Sequence, residues 1–288
     1  MDEEFISFDA TNEGNINEKD IELAIKLFNK KGFLCLRKVF DTDLIDGLQK
    51  ELIEKYLSKK KINNKYNWFV QKDEKRIQTT LGLKGIFSNP NIYGSKIVLK
   101  ILNQLFSING VTNENQKEQY KKYIIDSYTV ITSLPNCSEQ QLHSDGGGLF
   151  GSAVDNLLPP HAILLGIPLI NLDNINGTTE IFPKNNLKNE KFINKQPNSL
   201  SCKPFLKKGD CYLMDFRTIH RGLANNSNKK RSILFVRYCL PWWRDIANYR
   251  RKISSKHTVS PIRIDNSGLS SIPEHLKYLF RYYGNNNS

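Results

Sequence analysis

The N-terminal part of the chain carries hydrophobic side chains at helical spacing. Between Asn17 and Lys31 they recur on one face, which predicts a helix that Asn17 caps and Gly32 ends. The same spacing predicts a second helix after Asp41 and a third after Ser95. The predicted buried faces are Ile21, Ala24, Ile25 and Phe28; Leu44, Ile45, Leu48, Leu52 and Ile53; and Ile97, Val98, Ile101, Leu102 and Leu105.

After Gly110 the pattern changes to short runs of β-branched and aromatic residues, separated by Gly, Pro, Asn and Asp. Such runs are typical of strands, and helices followed by many short strands indicate an α+β, mainly β fold. We expect the helices to buttress a sandwich or closed barrel. The lysine-rich stretch 59–75 is expected to be a surface excursion. The predicted strands are 33–37, 123–134, 162–172, 178–182, 210–216 and 231–240.

The composition is that of a folded, water-soluble domain, with 288 residues, 39% of them hydrophobic, and a mean hydropathy of −0.49. No apolar stretch is long enough to span a bilayer, and the acidic N-terminus lacks the basic and apolar regions of a signal peptide. Five cysteines without a CxxC spacing favour reduced thiols. We therefore expect a cytoplasmic protein with no membrane partner.

The net charge of +13 would attract anionic ligands. However, the basic residues are spread along the chain, and their longest runs, such as 59–61 and 250–252, contain three residues. This pattern favours a lysine-rich solvated surface over a nucleic-acid-binding patch. The sequence leaves the oligomeric state open.

Three residues together indicate a metal site. His143 and Asp145 are two positions apart, so on a strand both side chains would point to one face. His220 follows the predicted strand 210–216. Two histidines and one carboxylate with open positions form the facial triad of non-heme Fe(II) oxygenases. Each residue alone also has a structural explanation, such as the glycine turn 146–148, and only the combination points to a metal.

Arg231 lies 11 residues after His220, across the polar turn 225–228. If the two flanking strands form a hairpin, Arg231 begins the returning strand near His220. A guanidinium can hold a carboxylate through two parallel hydrogen bonds. A dicarboxylate that chelates the metal at one end would therefore be held by Arg231 at the other.

In their order along the chain, these motifs resemble the phytanoyl-CoA dioxygenase family of Fe(II)- and 2-oxoglutarate-dependent oxygenases. The resemblance implies a double-stranded β-helix, or jelly roll, in a single domain spanning 1–288. Within it we expect a mainly helical part at 1–110, a jelly-roll core at 120–241 and a tail or lid at 242–288. The segments that resemble the family are 31–36 (KGFLCL), 141–146 (QLHSDG), 176–183 (NGTTEIFP), 209–220 (GDCYLMDFRTIH) and 225–231 (NNSNKKR).

The resemblance implies that His143, Asp145 and His220 bind Fe(II), while Arg231 binds the co-substrate 2-oxoglutarate and O2 is the third reactant. Gly222 stands where some relatives have a serine that helps to hold 2-oxoglutarate. Hydroxyl groups on the strand before the H-x-D motif could replace it. The candidates are Ser127, Tyr128 and Thr129.

The resemblance further implies oxidation of an unactivated C–H bond, with hydroxylation as the default and desaturation or ring closure as alternatives. Because Asp145 is present, halogenation is disfavoured. We expect a small organic metabolite of a biosynthetic pathway as substrate, and aromatic and basic residues near the motifs favour an anionic one. The candidate substrate-binding residues are Trp68, Arg76, Arg217, Arg221, Trp243 and Arg244.

Two functions of other classes stay open. One is a metal-dependent, cupin-like isomerase or hydrolase that needs no 2-oxoglutarate, and the other is a non-catalytic jelly-roll binding module. Arg231 disfavours the first, because an isomerase has no use for a carboxylate anchor. The complete triad disfavours the second.

Overall fold

An eight-stranded, mainly antiparallel sheet forms the centre of the fold, and a two-stranded sheet faces it. The computed structural model describes residues 5–7, 17–58, 66–70, 75–107, 123–150, 152–155, 157–183, 201–245, 262, 264–281 and 283. The strands are β1 (Phe5–Ser7), β2 (Phe33–Arg37), β3 (Asn67–Phe69), β4 (Arg76–Thr80), β5 (Ile124–Ser133), β6 (Ala162–Pro168), β7 (Thr179–Ile181), β8 (Cys211–Asp215), β9 (His220–Gly222) and β10 (Arg231–Cys239).

The large sheet has the order β1-β2-β8-β6-β10-β5-β4-β3, and β7 pairs with β9 in the small sheet. Only β1 and β2 are paired in parallel among the described strands. Strands distant in sequence are therefore neighbours, as in a β-sandwich built from crossovers rather than from simple hairpins.

The helices are α1 (Glu18–Lys31), α2 (Thr42–Lys55), α3 (Pro90–Tyr93), α4 (Lys96–Leu105), α5 (Ser152–Asp155) and α6 (Asn266–Ser270), with 3-10 helices at Gly85–Ser88 and Glu274–Phe280. The predicted capping of α1 is confirmed, because the side chain of Asn17 accepts a hydrogen bond from the Lys19 amide and Gly32 ends the helix in the left-handed conformation. No helix in the described part of the chain is long and apolar enough to cross a membrane.

The N-terminal helices cover one face of the large sheet. Ile21, Leu48 and Ile101, one from each of α1, α2 and α4, belong to the same core as Leu234 and Val236 of β10. The prediction that helices buttress the sheet is confirmed. The 3-10 helix Glu274–Phe280 contributes to this core as well.

Three details of the sequence prediction are wrong. Ile53, expected in the buried face of α2, is 36% exposed because it lies at the edge of that face. The strand predicted at 162–172 ends at Pro168, close to where its neighbour β10 begins. Part of the expected excursion 59–75 forms the edge strand β3, whose three residues are too few for a periodicity to be visible; residues 59–65 and 71–74 lie outside the described residues.

Alternation along the long strands gives the sheet two different faces. On β10, Leu234 and Val236 point into the helix-packed core, whereas Ile233 and Phe235 line a cavity on the opposite face. On β5, Val130 lies in the core, whereas Thr129 and Ile131 on either side of it line the cavity. The fold thus places one face of its longest strands at the candidate site.

Candidate active site

The cavity has a volume of about 360 Å³ and lies between the large and the small sheet. The long axis of the cavity runs along β10. We call its two ends the Arg231 end and the Arg237 end, after the β10 residues located there. These two residues are six positions apart, so the ends are separated by about 20 Å of extended strand. A cavity of this size can hold a small organic molecule in addition to a co-substrate.

The three predicted metal-binding residues meet in this cavity. The Nε2 atoms of His143 and His220 each lie 3.7 Å from a carboxylate oxygen of Asp145, one on each oxygen. One potential ligand atom from each residue lies within 4.8 Å of the other two, a group that could hold a metal ion. Residues far apart in sequence have converged because His143 and His220 form a reciprocal pair of backbone hydrogen bonds of 3.0 and 2.8 Å.

Backbone carbonyl groups orient both imidazoles. The Nδ1 atom of His143 lies 2.8 Å from the Gln141 carbonyl oxygen, and that of His220 lies 3.0 Å from the Thr218 carbonyl oxygen. Since a carbonyl oxygen only accepts, each Nδ1 carries the hydrogen and each Nε2 presents its lone pair to the Asp145 side. Burial lowers the pKa of His220, which favours the neutral imidazole that can bind a metal.

Arg231 is 2% exposed and lies at the cavity wall. Its guanidinium donates hydrogen bonds to the carbonyl oxygens of Asn176 and Leu223 and to the hydroxyl of Ser133. Within the described residues it forms no ion pair. Burial, with a contribution from Arg76, lowers its pKa to about 9, as expected for a cation whose partners are all neutral.

Arg76 occupies the same end of the cavity. Its Nη1 donates to the hydroxyl of Ser133, at 2.7 Å, so the two guanidinium groups share one acceptor. A Cβ atom built on Gly222 would lie 2.6 Å from this nitrogen and equally close to Oε1 of Gln140. Arg76 and Gln140 therefore fill the space that a side chain at position 222 would need.

The hydroxyl candidates on β5 lie on different faces. Ser127 and Thr129 line the cavity. Tyr128 points into the helix-packed core, where its hydroxyl donates to the Phe87 carbonyl oxygen at 3.0 Å. Strand alternation makes this separation unavoidable, since adjacent residues of a strand cannot face the same cavity.

Several substrate-binding candidates lie away from the cavity lining. Arg217 is held by both carboxylate oxygens of Asp215 and by the Asp155 carbonyl oxygen. Arg244 is exposed, and the side chain of Trp68 lies outside the described residues, as do residues 246–251 of the tail. Trp243 is buried and packs edge-on against Phe216, with ring centroids 5.3 Å apart.

Arg221 is bound to two glutamates. Its Nε lies 2.6 Å from Glu180, which is 1% exposed, and its Nη1 lies 2.9 Å from Glu139. Burial alone would raise the pKa of Glu180, but hydrogen bonds from Ser201 and Arg221 hold it below its ordinary value. Arg221 thus neutralises a buried carboxylate next to the His220 strand.

At the Arg237 end of the cavity, two carboxylates surround one guanidinium group. Arg237 forms two hydrogen bonds with Asp126, of 2.7 and 2.9 Å, and one of 2.5 Å with Asp245. Its guanidinium also stacks over Phe216, 4.8 Å from the ring centroid. The sequence carries only a weak signal for two of these residues. Phe216 lies in the family-like segment 209–220 but at no position to which a role was assigned, and Asp245 reaches the cavity only through the fold.

A profile of the phytanoyl-CoA dioxygenase (PhyH) family matches residues 28–233. This span is most of the chain and contains all three residues of the triad. The chain belongs to the phytanoyl-CoA dioxygenase family, so the resemblance noted in the sequence is confirmed. A search of curated proteins found no match.

Two solved structures are similar to this chain. The non-heme alpha ketoglutarate dependent carbocyclase SnoK from nogalamycin biosynthesis is 15% identical, with a TM-score of 0.53 over 81% of this chain and 87% of that chain. The non-heme alpha ketoglutarate dependent epimerase SnoN from the same biosynthesis is 13% identical, with a TM-score of 0.49 over 77% and 82%. The family and the first of these likenesses confirm the predicted double-stranded β-helix, although the described strands do not close into a barrel.

Replacing Arg221 tests whether it is a structural residue. Arg221→Leu should lower the free energy of unfolding by about 3 kcal/mol, because Glu180 then stays buried without its main partner. The double variant Arg221→Leu/Glu180→Leu should recover part of this loss. Urea denaturation measures both, with the exposed Arg244→Leu as control. Unchanged stability of Arg221→Leu would contradict this role.

Proposed function

We propose that this protein is an Fe(II)- and 2-oxoglutarate-dependent oxygenase that hydroxylates a C–H bond of a small organic molecule and releases succinate and CO2. The observation that carries the proposal is the pair of imidazole Nε2 atoms directed at opposite oxygens of Asp145. Membership of the phytanoyl-CoA dioxygenase family supports it.

The donor set fits Fe(II). Two neutral imidazoles and one carboxylate, all supplied from one side, leave open positions for a chelating co-substrate and for O2. The Nδ1 hydrogen bonds to backbone carbonyls hold the two rings in the tautomer that a metal requires. His143, Asp145 and His220 are therefore the proposed metal ligands.

The Arg231 end fits the distal carboxylate of 2-oxoglutarate. Arg231 and Arg76 place two cations beside one hydroxyl, and Arg231 is buried without an anionic partner in the described structure. A carboxylate bound there would offset the cost of burying these charges. Arg76 takes the place of the missing side chain at Gly222, so it is proposed as the second anchor. Of the hydroxyl candidates on β5, Thr129 pairs with Phe235 in the middle of the cavity, and Ser127 pairs with Arg237 at the other end.

When bound, Fe(II) and 2-oxoglutarate supply an oxidant able to attack an unactivated C–H bond, at the expense of O2. The residues of the chain position the reactants relative to one another. The triad lies between the two ends of the cavity, because Gly222 touches Arg76 at one end and Gly146, next to Asp145, touches Phe216 near the other. Apolar walls such as Ile233 and Leu164 exclude water from the reacting groups.

The charge distribution favours a neutral substrate over the anionic one expected from the sequence. The substrate would occupy the Arg237 end, where Asp126 and Asp245 together outweigh the charge of Arg237. The described lining at this end includes the apolar side chains of Leu164, Phe216 and Phe235. Among the described residues, an additional carboxylate on the substrate would meet no uncompensated cation there.

The helices, the jelly roll and the C-terminal segment are proposed to form one domain, 1–288. Leu276 and Phe280 of the C-terminal 3-10 helix pack in the same core as α1, α2 and α4, which supports this. A cytoplasmic location is also proposed, since all five cysteines are free thiols and four of them are buried.

Replacing any one of the proposed metal ligands should strongly weaken metal binding. His143→Ala, Asp145→Ala or His220→Ala should weaken Mn(II) or Fe(II) affinity by more than about 100-fold, beyond the usual cost of an outer-shell change. Anaerobic calorimetric titration measures the affinity, and succinate formation measures the reaction. The exposed His275→Ala is the control. Full metal affinity in any ligand variant would remove that residue from the site.

The two arginines are tested through the co-substrate. Arg231→Lys should weaken 2-oxoglutarate binding to the metal-loaded protein by roughly 10- to 100-fold, because lysine cannot donate two parallel hydrogen bonds. Arg76→Met should weaken it as well, and neither change should alter metal affinity. Titration of 2-oxoglutarate measures this, with the exposed Arg37→Lys as control. A wild-type protein that binds metal but no 2-oxoglutarate would instead support the isomerase or hydrolase alternative.

The charge of the substrate can be tested without knowing its identity. Pairs of candidate molecules that differ only as free acid and amide are compared for their ability to stimulate succinate formation, with mass spectrometry to distinguish hydroxylated from desaturated or cyclised products. The amides should be preferred, and added salt should have little effect on their binding. A consistent preference for the acids would overturn the neutral assignment and leave the oxygenase assignment intact.

A further inference from the structure

The hydroxyl groups of Tyr212 and Thr179 meet inside the cavity, 3.1 Å apart. Tyr212 lies on β8 of the large sheet. Thr179 lies on β7, where it pairs with Gly222 of the strand that carries His220. The contact therefore joins the two sheets beside the triad. Both residues lie in segments that resemble the family, 176–183 and 209–220, but neither is among the candidate site residues.

The hydrogen bond between these two hydroxyl groups leaves one of their two hydrogens unused. Each hydroxyl has one hydrogen to donate, and the bond between them uses only one of the two. Within the described residues neither hydroxyl has another hydrogen-bond partner. One hydrogen therefore remains for an acceptor, and both residues line the cavity in which that acceptor would lie.

The ring of Tyr212 is held in this position by its neighbours. A Cβ atom on Gly166 would lie 2.4 Å from its Cζ, so the ring lies flat across a residue that has no side chain. Phe235 packs edge-on against the ring, with centroids 6.3 Å apart. Tyr212 is 1% exposed, so its hydroxyl is a fixed group and not one that swings into solvent.

The surroundings of the hydroxyl suit an anionic acceptor. It lies within electrostatic range of both Asp145 and Arg231, and burial raises the pKa of the phenol, which keeps its hydrogen in place at neutral pH. In the proposed function, 2-oxoglutarate extends from the triad to Arg231. Its oxygens are the acceptors that would occupy the space between these two groups.

We infer that Tyr212 is a further binding residue for 2-oxoglutarate: the Thr179 hydroxyl donates its hydrogen to the Tyr212 oxygen, and the Tyr212 hydroxyl donates its own hydrogen to an oxygen of the bound co-substrate between the triad and Arg231. This inference rests on the proposed function and deepens it. Gly166 is part of the same arrangement, because it provides the space in which the tyrosine ring lies.

The test uses calorimetric titration of 2-oxoglutarate into Mn(II)-loaded protein. Tyr212→Phe keeps the ring and removes the hydroxyl, so the dissociation constant should rise by roughly 10-fold or more, the value of a hydrogen bond to a charged group. Thr179→Val should have a smaller effect. Gly166→Ala should also weaken binding, because it displaces the ring while leaving the hydroxyl present. Mn(II) affinity should not change in Tyr212→Phe or Thr179→Val.

Tyr238→Phe is the matched control. Tyr238 is equally buried and donates to the Tyr93 carbonyl oxygen in the helix-packed core, so its loss should leave 2-oxoglutarate affinity unchanged. If the wild-type protein binds 2-oxoglutarate and Tyr212→Phe binds it with the same affinity, the inference is wrong but the proposed function stands. A larger loss in Thr179→Val than in Tyr212→Phe would overturn it in favour of Thr179 as donor. No binding by the wild-type protein would overturn both the inference and the proposed function.

Discussion

The reciprocal backbone hydrogen bonds between His143 and His220 are the constraint on which the site depends. They join the segment after β5 to β9, so that two imidazoles from distant parts of the chain face the carboxylate of Asp145. Backbone groups also set the tautomer of each ring, through the Gln141 and Thr218 carbonyls. The arrangement of the proposed metal ligands is thus set by main-chain hydrogen bonds.

Charge separation along the cavity is the second organising feature. At one end Arg231 and Arg76 share a hydroxyl acceptor, and burial together with mutual repulsion lowers the pKa of Arg231. At the other end Arg237 is bound to two carboxylates. The first end is prepared for an anion and the second is not. This asymmetry supports the proposal that co-substrate and substrate bind at different ends, although the chain as a whole is strongly basic.

The secondary structure was largely predictable because it follows from local pattern. The caps of α1, the apolar face of α4 and the five strand signals after Gly110 all depend on residues close in sequence. The structure confirms the caps and the apolar face, and it has a strand within each of the five predicted ranges. The failures concern short or marginal segments, such as the three residues of β3 and the position of Ile53 at the edge of its helix face. Such details depend on which neighbour covers a residue, and not on the residue itself.

The sequence by itself determined the family, the fold class and the four residues His143, Asp145, His220 and Arg231 as a candidate constellation, since each lies in a motif of fixed spacing. Only the tertiary structure decided which other side chains join them. Arg76 and Tyr212 line the cavity from strands whose partners are distant in sequence. Arg221 instead forms an ion pair with the buried Glu180 and does not line the cavity. The physical reason is that strand alternation defines two faces, but only the pairing of strands decides which face becomes the site.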